Sequence, residues 1–378
     1  MEPVRRAVID VGTNSVKVLV ADVTGREIQP ICEQSQQTRL GQGFYETHRL
    51  KPDAIAATAT AVAGFAAMAR EARAALIRVI ATSAAREAVN REELTAAIEQ
   101  AAGLKVEVIS GEQEAELGFQ GVTTDPQLAQ APLLLMDVGG GSAQFIFGQA
   151  GRTRFRHSFP LGSVRLLETI PCSDPPKPAE LAACRQWLKE FLQREVRPKL
   201  TANIAEDRGG GQSRSTSGAV SERDGLLSPA LSSKGGEGGT TRRFVGFMPL
   251  LGSAVAGSGG EVQLVGVGGA ATILACMEAK LEAFDRACIE ATRLSMARVS
   301  WHLEHLWSLS LEERKKTIGL PKNRADVILM GVAIYQAVME EFGFRDLRVS
   351  TRGLRFAAVM DQRLTLSPGV AGFTLLPG

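Results

Sequence analysis

Cysteine is sparse and unpaired in this 378-residue chain: Cys32, Cys172, Cys184, Cys276 and Cys288 lie far apart and their number is odd. That spacing excludes a close-set metal or redox motif and points to buried thiols in a reducing compartment. Long apolar runs are also missing, since none reaches the roughly 18 residues of a membrane span. The first strand signal begins at Val4, so no secretory leader is expected ahead of it. The chain therefore reads as cytosolic, with no membrane partner. An excess of one charge is absent too: 43 Lys and Arg against 41 Asp and Glu leave +2, which gives no global reason to bind nucleic acid. Aromatics are scarce at 5%, yet the apolar content of 44% is ordinary for a globular protein. The length allows two domains with proper cores.

Against these absences stands a motif written twice. Asp10-Val11-Gly12-Thr13-Asn14-Ser15 follows the apolar run Ala7-Val8-Ile9, and Asp137-Val138-Gly139-Gly140-Gly141-Ser142 follows Leu133-Leu134-Leu135-Met136. Alternating residues come after each copy, at 16–20 and 143–147. Each copy reads as a strand, a tight turn and a second strand. Two copies imply two related half-domains facing each other. Each offers an aspartate at a strand end and a loop of backbone N–H groups, a pairing that suits a phosphate chain and a metal ion. No Lys-Ser or Lys-Thr follows the glycines, which excludes a P-loop. A strand rather than a helix follows them, which excludes the dinucleotide fingerprint. The plainer alternative is a pair of ordinary hairpins whose glycines only satisfy a positive φ. It loses ground because the motif is doubled.

Alternating strand and helix signals surround both copies and argue for an α/β layer fold. In a first unit, 1–123, strands are expected at 4–11, 16–23 and about 26–32, and a helix opens at Pro52. A strand at 76–81, helices at 83–89 and 91–102, a stop at Gly103 and a short strand at 106–109 complete it. In a second unit, 124–364, the hairpin is followed by a helix at 179–199 and a strand at 262–267. That strand turns through Gly268-Gly269 into a helix at 271–284. Helical patterns fill 292–341, broken near Gly319-Leu320-Pro321, before a strand at 347–350 and a helix at 354–364; residues 365–378 form a tail. Residues 206–260, rich in Gly and Ser and without periodicity, read as a disordered insertion, because they cannot bury enough apolar surface to offset their ordering entropy.

Several ordered segments now resemble one family. The two Asp-Val-Gly motifs are similar to the phosphate motifs of the exopolyphosphatase/guanosine-pentaphosphate phosphohydrolase family, within the actin–Hsp70–sugar-kinase superfamily. Thr38-Arg39-Leu40-Gly41-Gln42-Gly43 resembles its early loop. Ala81-Thr82-Ser83-Ala84-Ala85-Arg86-Glu87-Ala88 resembles its arginine-bearing segment, and Gly111-Glu112-Gln113-Glu114-Ala115 its catalytic-glutamate segment. Val265-Gly266-Val267-Gly268-Gly269-Ala270-Ala271-Thr272 resembles its third Gly-rich turn. Gly319-Leu320-Pro321 with Arg324-Ala325-Asp326, and Val349-Ser350-Thr351-Arg352-Gly353-Leu354, resemble its C-terminal signatures.

The resemblance implies two ribonuclease-H-like (actin-like ATPase) domains around a central cleft, in a short form without the C-terminal HD-type module. It implies hydrolysis of a terminal phosphoanhydride with Mg²⁺, in inorganic polyphosphate or guanosine pentaphosphate, by a homodimer. A non-catalytic polyphosphate or alarmone sensor is the rival of another class. Asp10 and Asp137 would hold the metal, Glu114 would be the general base and Arg86 would bind phosphate as a bidentate partner. Gly12, Thr13, Asn14, Ser15, Arg39, Gly139, Gly140, Gly141, Ser142, Gln144, Gly268 and Gly269 would bind phosphate. One departure stands out: Gln144 occupies a place where the family usually has glutamate, and an amide neither takes a proton nor neutralises a metal. Thr351 stands where the family often has aspartate. Deleting residues 208–239 is expected to leave phosphate release and thermal stability close to those of the full chain; a collapse in Tm would show that this segment is structural.

Overall fold

The computed structural model describes residues 2–206 and 261–361. The expected insertion, from residue 207 onward, and the expected tail lie outside the described residues. Two mixed sheets form the frame. The first contains β1 (Val4–Val11), β2 (Ser15–Thr24), β3 (Glu27–Gln37), β4 (Leu76–Ala81) and β5 (Val106–Val108), in the order β3-β2-β1-β4-β5. The second contains β6 (Leu133–Val138), β7 (Ala143–Gln149), β8 (Arg152–Phe159), β9 (Gln263–Val267), β10 (Arg293–Ser295) and β11 (Asp346–Val349), in the order β10-β11-β9-β6-β7-β8. In each sheet three antiparallel strands come first in the chain, and later strands add in parallel beside the motif strand. The doubled motif therefore heads two copies of one topology, the expected ribonuclease-H-like units, with β10 added at one edge. Ala7, Val8 and Ile9 and residues 133–136 are fully buried, as continuous apolar runs in central strands should be.

Several boundaries depart from expectation for identifiable reasons. β3 runs to Gln37 rather than 32, through Pro30, because Ile31 is an extra residue in its pairing with β2. An edge strand tolerates a proline at such a bulge. The helix expected at 179–199 begins at Pro178 and extends to Glu206 through a π-helical turn, Leu192–Val196, just ahead of Pro198. Widening the turn there accommodates a ring that an α-helix interior excludes. The third Gly-rich turn starts its helix earlier than expected, at Gly268, and ends it at Glu278. The helix Pro52–Glu71 corrects the reading of apolar runs: by length and composition it passes as a membrane span. Its Ala-rich face packs into the first core through Ile55, Val62, Phe65 and Ala69, which is the behaviour of a core helix.

Helices then tie the two units together. Helix Gly111–Val122 follows the first sheet in the chain, yet Ala115, Phe119 and Val122 pack with Leu133, Leu135, Ile146 and Val265 of the second. Helix Leu354–Met360 follows the second sheet, yet Leu354, Phe356 and Val359 pack with Val8, Leu19 and Ile80 of the first. The two segments cross so closely that a Cβ on Gly121 would lie 2.1 Å from the Gly353 carbonyl oxygen.

Candidate active site

Both motif turns close in the same manner. The Gly12 amide donates to Ser15 O at 3.0 Å and the Gly139 amide to Ser142 O at 2.9 Å, so the chain folds back directly after each aspartate. The turns face each other across a cavity lined by Asp10, Gly12, Thr13, Asn14 and Ser15 from one unit and Asp137, Gly139, Gly140, Gly141 and Ser142 from the other. The glycines answer to proximity rather than to backbone conformation, since neither Gly12 nor residues 139–141 have positive φ. A Cβ on Gly141 would lie 2.3 Å from Tyr45 Oη and 2.5 Å from Ser83 Oγ. Asn14 accepts from Gln37 Nε2 at 3.1 Å through Oδ1, while its buried Nδ2 has no hydrogen-bond partner. That leaves a donor in the cavity wall for an anion to satisfy.

Glu114 joins the same cavity from the first turns of helix Gly111–Val122, whose start is fixed by a capping box between Ser110 and Gln113. Arg86 lies behind it, donating from Nη1 to Glu114 Oε2 at 3.1 Å and to Ile109 O at 3.0 Å. Burial pushes the Glu114 carboxyl up to about 8; Arg86 draws it down, and Asp137 and Asp10 add to the rise. Burial also raises Asp10 and Asp137 above the usual carboxylate range, opposed chiefly by the Lys17 ammonium. Asp10 adds to the rise of Asp137, so the two charges oppose each other.

The remaining sequence candidates take other places. Gly269 lines the cavity, and Gly268 lies against Asp137 with φ +82, where a Cβ would be 2.3 Å from Asp137 Oδ1. Gln144 is 1% exposed and lies behind Ser142, with Nε2 2.9 Å from Ser142 Oγ and 3.0 Å from Ser158 Oγ. Arg39 is ion-paired to Asp326 of the other unit at 2.7 Å.

The polar cavity residues Lys17, Thr82, Ser83, Ser163 and Arg324 had no site role in the sequence expectations; Arg324 donates to Ser15 Oγ. Burial lowers the Arg324 guanidinium to about 10. A signal for Lys17 exists in the chain, because the hairpin registers pair Asp10 with Lys17 and Asp137 with Gln144 at the same spacing. A second, larger cavity opens beside the first. It shares Asp10, Lys17, Asp137 and Arg324 with it and adds the apolar side chains Leu281, Phe284 and Leu320.

The donor set suits a hard divalent cation. Among the described residues no group of three or more His, Cys, Asp and Glu side chains gathers to enclose an ion. An ion here would be held by the two aspartates and water, which is how Mg²⁺ commonly binds. The facing turns add backbone donors for phosphate oxygens.

A model of the Ppx/GppA phosphatase family matches residues 19–221. The chain is 39% identical over 202 residues to exopolyphosphatase 2 of Mycobacterium tuberculosis, covering 51% of this chain and 63% of that protein. It is 29% identical over 189 residues to exopolyphosphatase 1 of Mycobacterium bovis, covering 50% of this chain and 55% of that one. The chain thus matches less than two thirds of the length of either protein. Among solved structures, the Aquifex aeolicus PPX-GPPA enzyme is similar at a TM-score of 0.66 and 25% identity, covering 95% of this chain and 99% of that one. An exopolyphosphatase from Cytophaga hutchinsonii shares the fold at a TM-score of 0.71, with 22% identity over 93% of this chain and 96% of that one.

Gly268→Ala is expected to displace the Asp137 carboxylate and weaken Mg²⁺ binding by about tenfold or more, as measured by calorimetry. Unchanged affinity would show that Asp137 does not hold the ion.

Proposed function

This chain belongs to the Ppx/GppA phosphatase family, and on that premise we propose that it is an exopolyphosphatase. It hydrolyses the terminal phosphoanhydride of inorganic polyphosphate, with Mg²⁺, and releases orthophosphate. The observation that carries this reading is the placement of Glu114, a buried carboxyl held by Arg86 in the wall of the cavity that both Gly-rich turns line. Its raised proton affinity suits a group that must take a proton from water near neutral pH. The turns hold the terminal phosphate by backbone amides, with Asn14 Nδ2 as a further donor. Asp10 and Asp137 would hold Mg²⁺, whose charge would offset that of the phosphoryl oxygens. Water attacks phosphorus, Glu114 accepts its proton, and the electron pair of the broken P–O bond leaves on the shortened chain. Arg86 positions Glu114 and keeps its ionised form accessible.

A second reading, guanosine pentaphosphate as substrate, is favoured by one feature: the larger cavity has apolar walls at Ile273, Leu281 and Phe284, which suit a nucleoside better than bare phosphate. A phosphate-release panel of polyphosphates, guanosine pentaphosphate and ATP, run with Mg²⁺ in isotope-labelled water, decides between them. Label should enter the released phosphate, fastest with polyphosphate. Label-free phosphate passing to another acceptor would remove the hydrolase reading, and tight binding without release would make the protein a sensor.

Glu114→Gln is expected to lower turnover by about a hundred- to ten-thousand-fold while substrate binding persists. The base works only when ionised, and its proton affinity is raised to about 8. The rate should therefore climb with pH, with an inflection at or below that value, and lower at saturating Mg²⁺ because a cation beside the aspartates relieves their repulsion. A wild-type profile with no inflection at or below pH 8, or full activity in the variant, would rule Glu114 out as the base.

A further inference from the structure

Both phosphate turns are held by their carbonyls, and one short helix has a part in each. In the second turn, Gly139 O accepts from the Ser163 amide at 2.9 Å, and Gly140 O from the Val164 and Arg165 amides at 2.9 and 3.1 Å. These are the N–H groups left free at the start of helix Ser163–Thr169. The helix start presses so close that a Cβ on Gly162 would lie 2.3 Å from Gly140 O. The third carbonyl, Gly141 O, accepts instead from the Arg165 side chain, through Nε at 2.7 Å. In a trans peptide the C=O and the following N–H point opposite ways. Drawing three carbonyls towards the helix therefore turns the Gly140, Gly141 and Ser142 amides away from it. Among the described residues those amides have no hydrogen-bond acceptor. The same guanidinium reaches the first unit: Nη2 donates to both carboxylate oxygens of Glu87, at 2.8 and 2.6 Å, and Cζ lies 4.0 Å from the centre of the Tyr45 ring. The first turn is held in a like manner. Thr13 O accepts from the Gly41 amide at 2.7 Å, and Asn14 O from the Thr38 and Arg39 amides. The loop that supplies these donors is tied to the same helix, where the Gly43 amide donates to Glu168 Oε1 at 2.6 Å.

We propose that Arg165 is a positioning residue for the anion of the second turn. Its guanidinium fixes the Gly141–Ser142 peptide with the amide presented to a phosphate oxygen, and it does so from Glu87 and Tyr45 on the opposite unit. The inference deepens the proposed function and rests on it for the phosphate that occupies the turn, not for cleavage. Arg165 is not among the residues that line the cavity, so it acts through the backbone. Nε and Nη2 belong to one planar fork, and seating Nη2 on Glu87 aims Nε at the carbonyl. A peptide whose carbonyl loses that partner turns over at little cost, because Gly141 carries no side chain to oppose it. Its amide then leaves the cavity. Docking of the two units and the grip of the second turn on phosphate are thereby one property, set by one side chain.

The test measures tripolyphosphate binding by calorimetry in the Glu114→Gln background with Mg²⁺ present, so that turnover does not enter. Arg165→Met should weaken binding about 10- to 100-fold, the loss of one amide–phosphate contact. Arg165→Lys keeps the charge but not the fork and should be nearly as weak. Glu87→Gln keeps an acceptor for Nη2 and should bind within about threefold of the parent. At saturating tripolyphosphate, the Ser142 amide should exchange slowly with solvent deuterium in the parent and rapidly in both Arg165 variants. Where Arg165→Met fails to fold, Arg165→Lys carries both measurements. Full binding in Arg165→Lys would overturn the proposal, because charge alone would then suffice. So would a loss in Glu87→Gln equal to that in Arg165→Met, which would make Arg165 an ionic strut between the units, or a Ser142 amide that stays protected in the variants. An unaltered protein that binds tripolyphosphate and never releases phosphate would remove the hydrolase reading and leave this inference standing.

Discussion

Three carboxyl groups, Asp10, Asp137 and Glu114, share one largely desolvated cavity wall, and the surrounding structure is organised around that burial. Ionised carboxylates taken out of water need cations, hydrogen bonds or protons. The protein supplies part of the compensation through Arg86, Lys17 and Arg355. The rest must come from solution, as a divalent ion or a proton. The facing turns place their amides where an anionic ligand would complete the balance. Each component would be a liability alone; together they define a site whose carboxyl groups call for a cation or a proton.

The two sheets show how one plan was put to two uses. Their aspartates, turns and strand orders correspond, but the residues across from the aspartates do not. On one side a lysine reaches the cavity; on the other an amide is spent inside the protein on Ser142 and Ser158. Gln144 was expected to touch the substrate from its place beside the motif. Instead its reach ends at Ser142, which is the side chain that lines the cavity.

Much of this was legible in the chain because the relevant signals are local. A strand, a small-residue turn and a strand lie within about fifteen consecutive positions, and β4 and helix Arg91–Ala102 end where their apolar periods and Gly103 say they should. What was hidden depends on pairing. β8, with arginines at 152, 154 and 156, becomes a strand by its register with β7. β10 has three residues and exists as an edge of β11. Arg324 reaches Ser15 across 309 positions of sequence, and no window read along the chain contains both. In the second turn Gly140 is crowded by Thr13 and Gly141 by Tyr45, Ser83 and Thr13, all from the other unit, and neither has a positive φ angle.

The crossed helices carry a consequence for motion. Gly121 and Gly353 touch where each unit's chain passes to the other unit's core. A rotation of one unit against the other must turn about that crossing, since both connections run through it. The same helix carries Glu114 near its start and Gly121 near its end. That helix packs on the unit that carries Asp137, so a change of angle between the units alters the distance from Glu114 to Asp10 and leaves its distance to Asp137 fixed. The acid and the hinge contact are two ends of one helix, pinned where a Cβ on Gly121 would meet the Gly353 carbonyl oxygen.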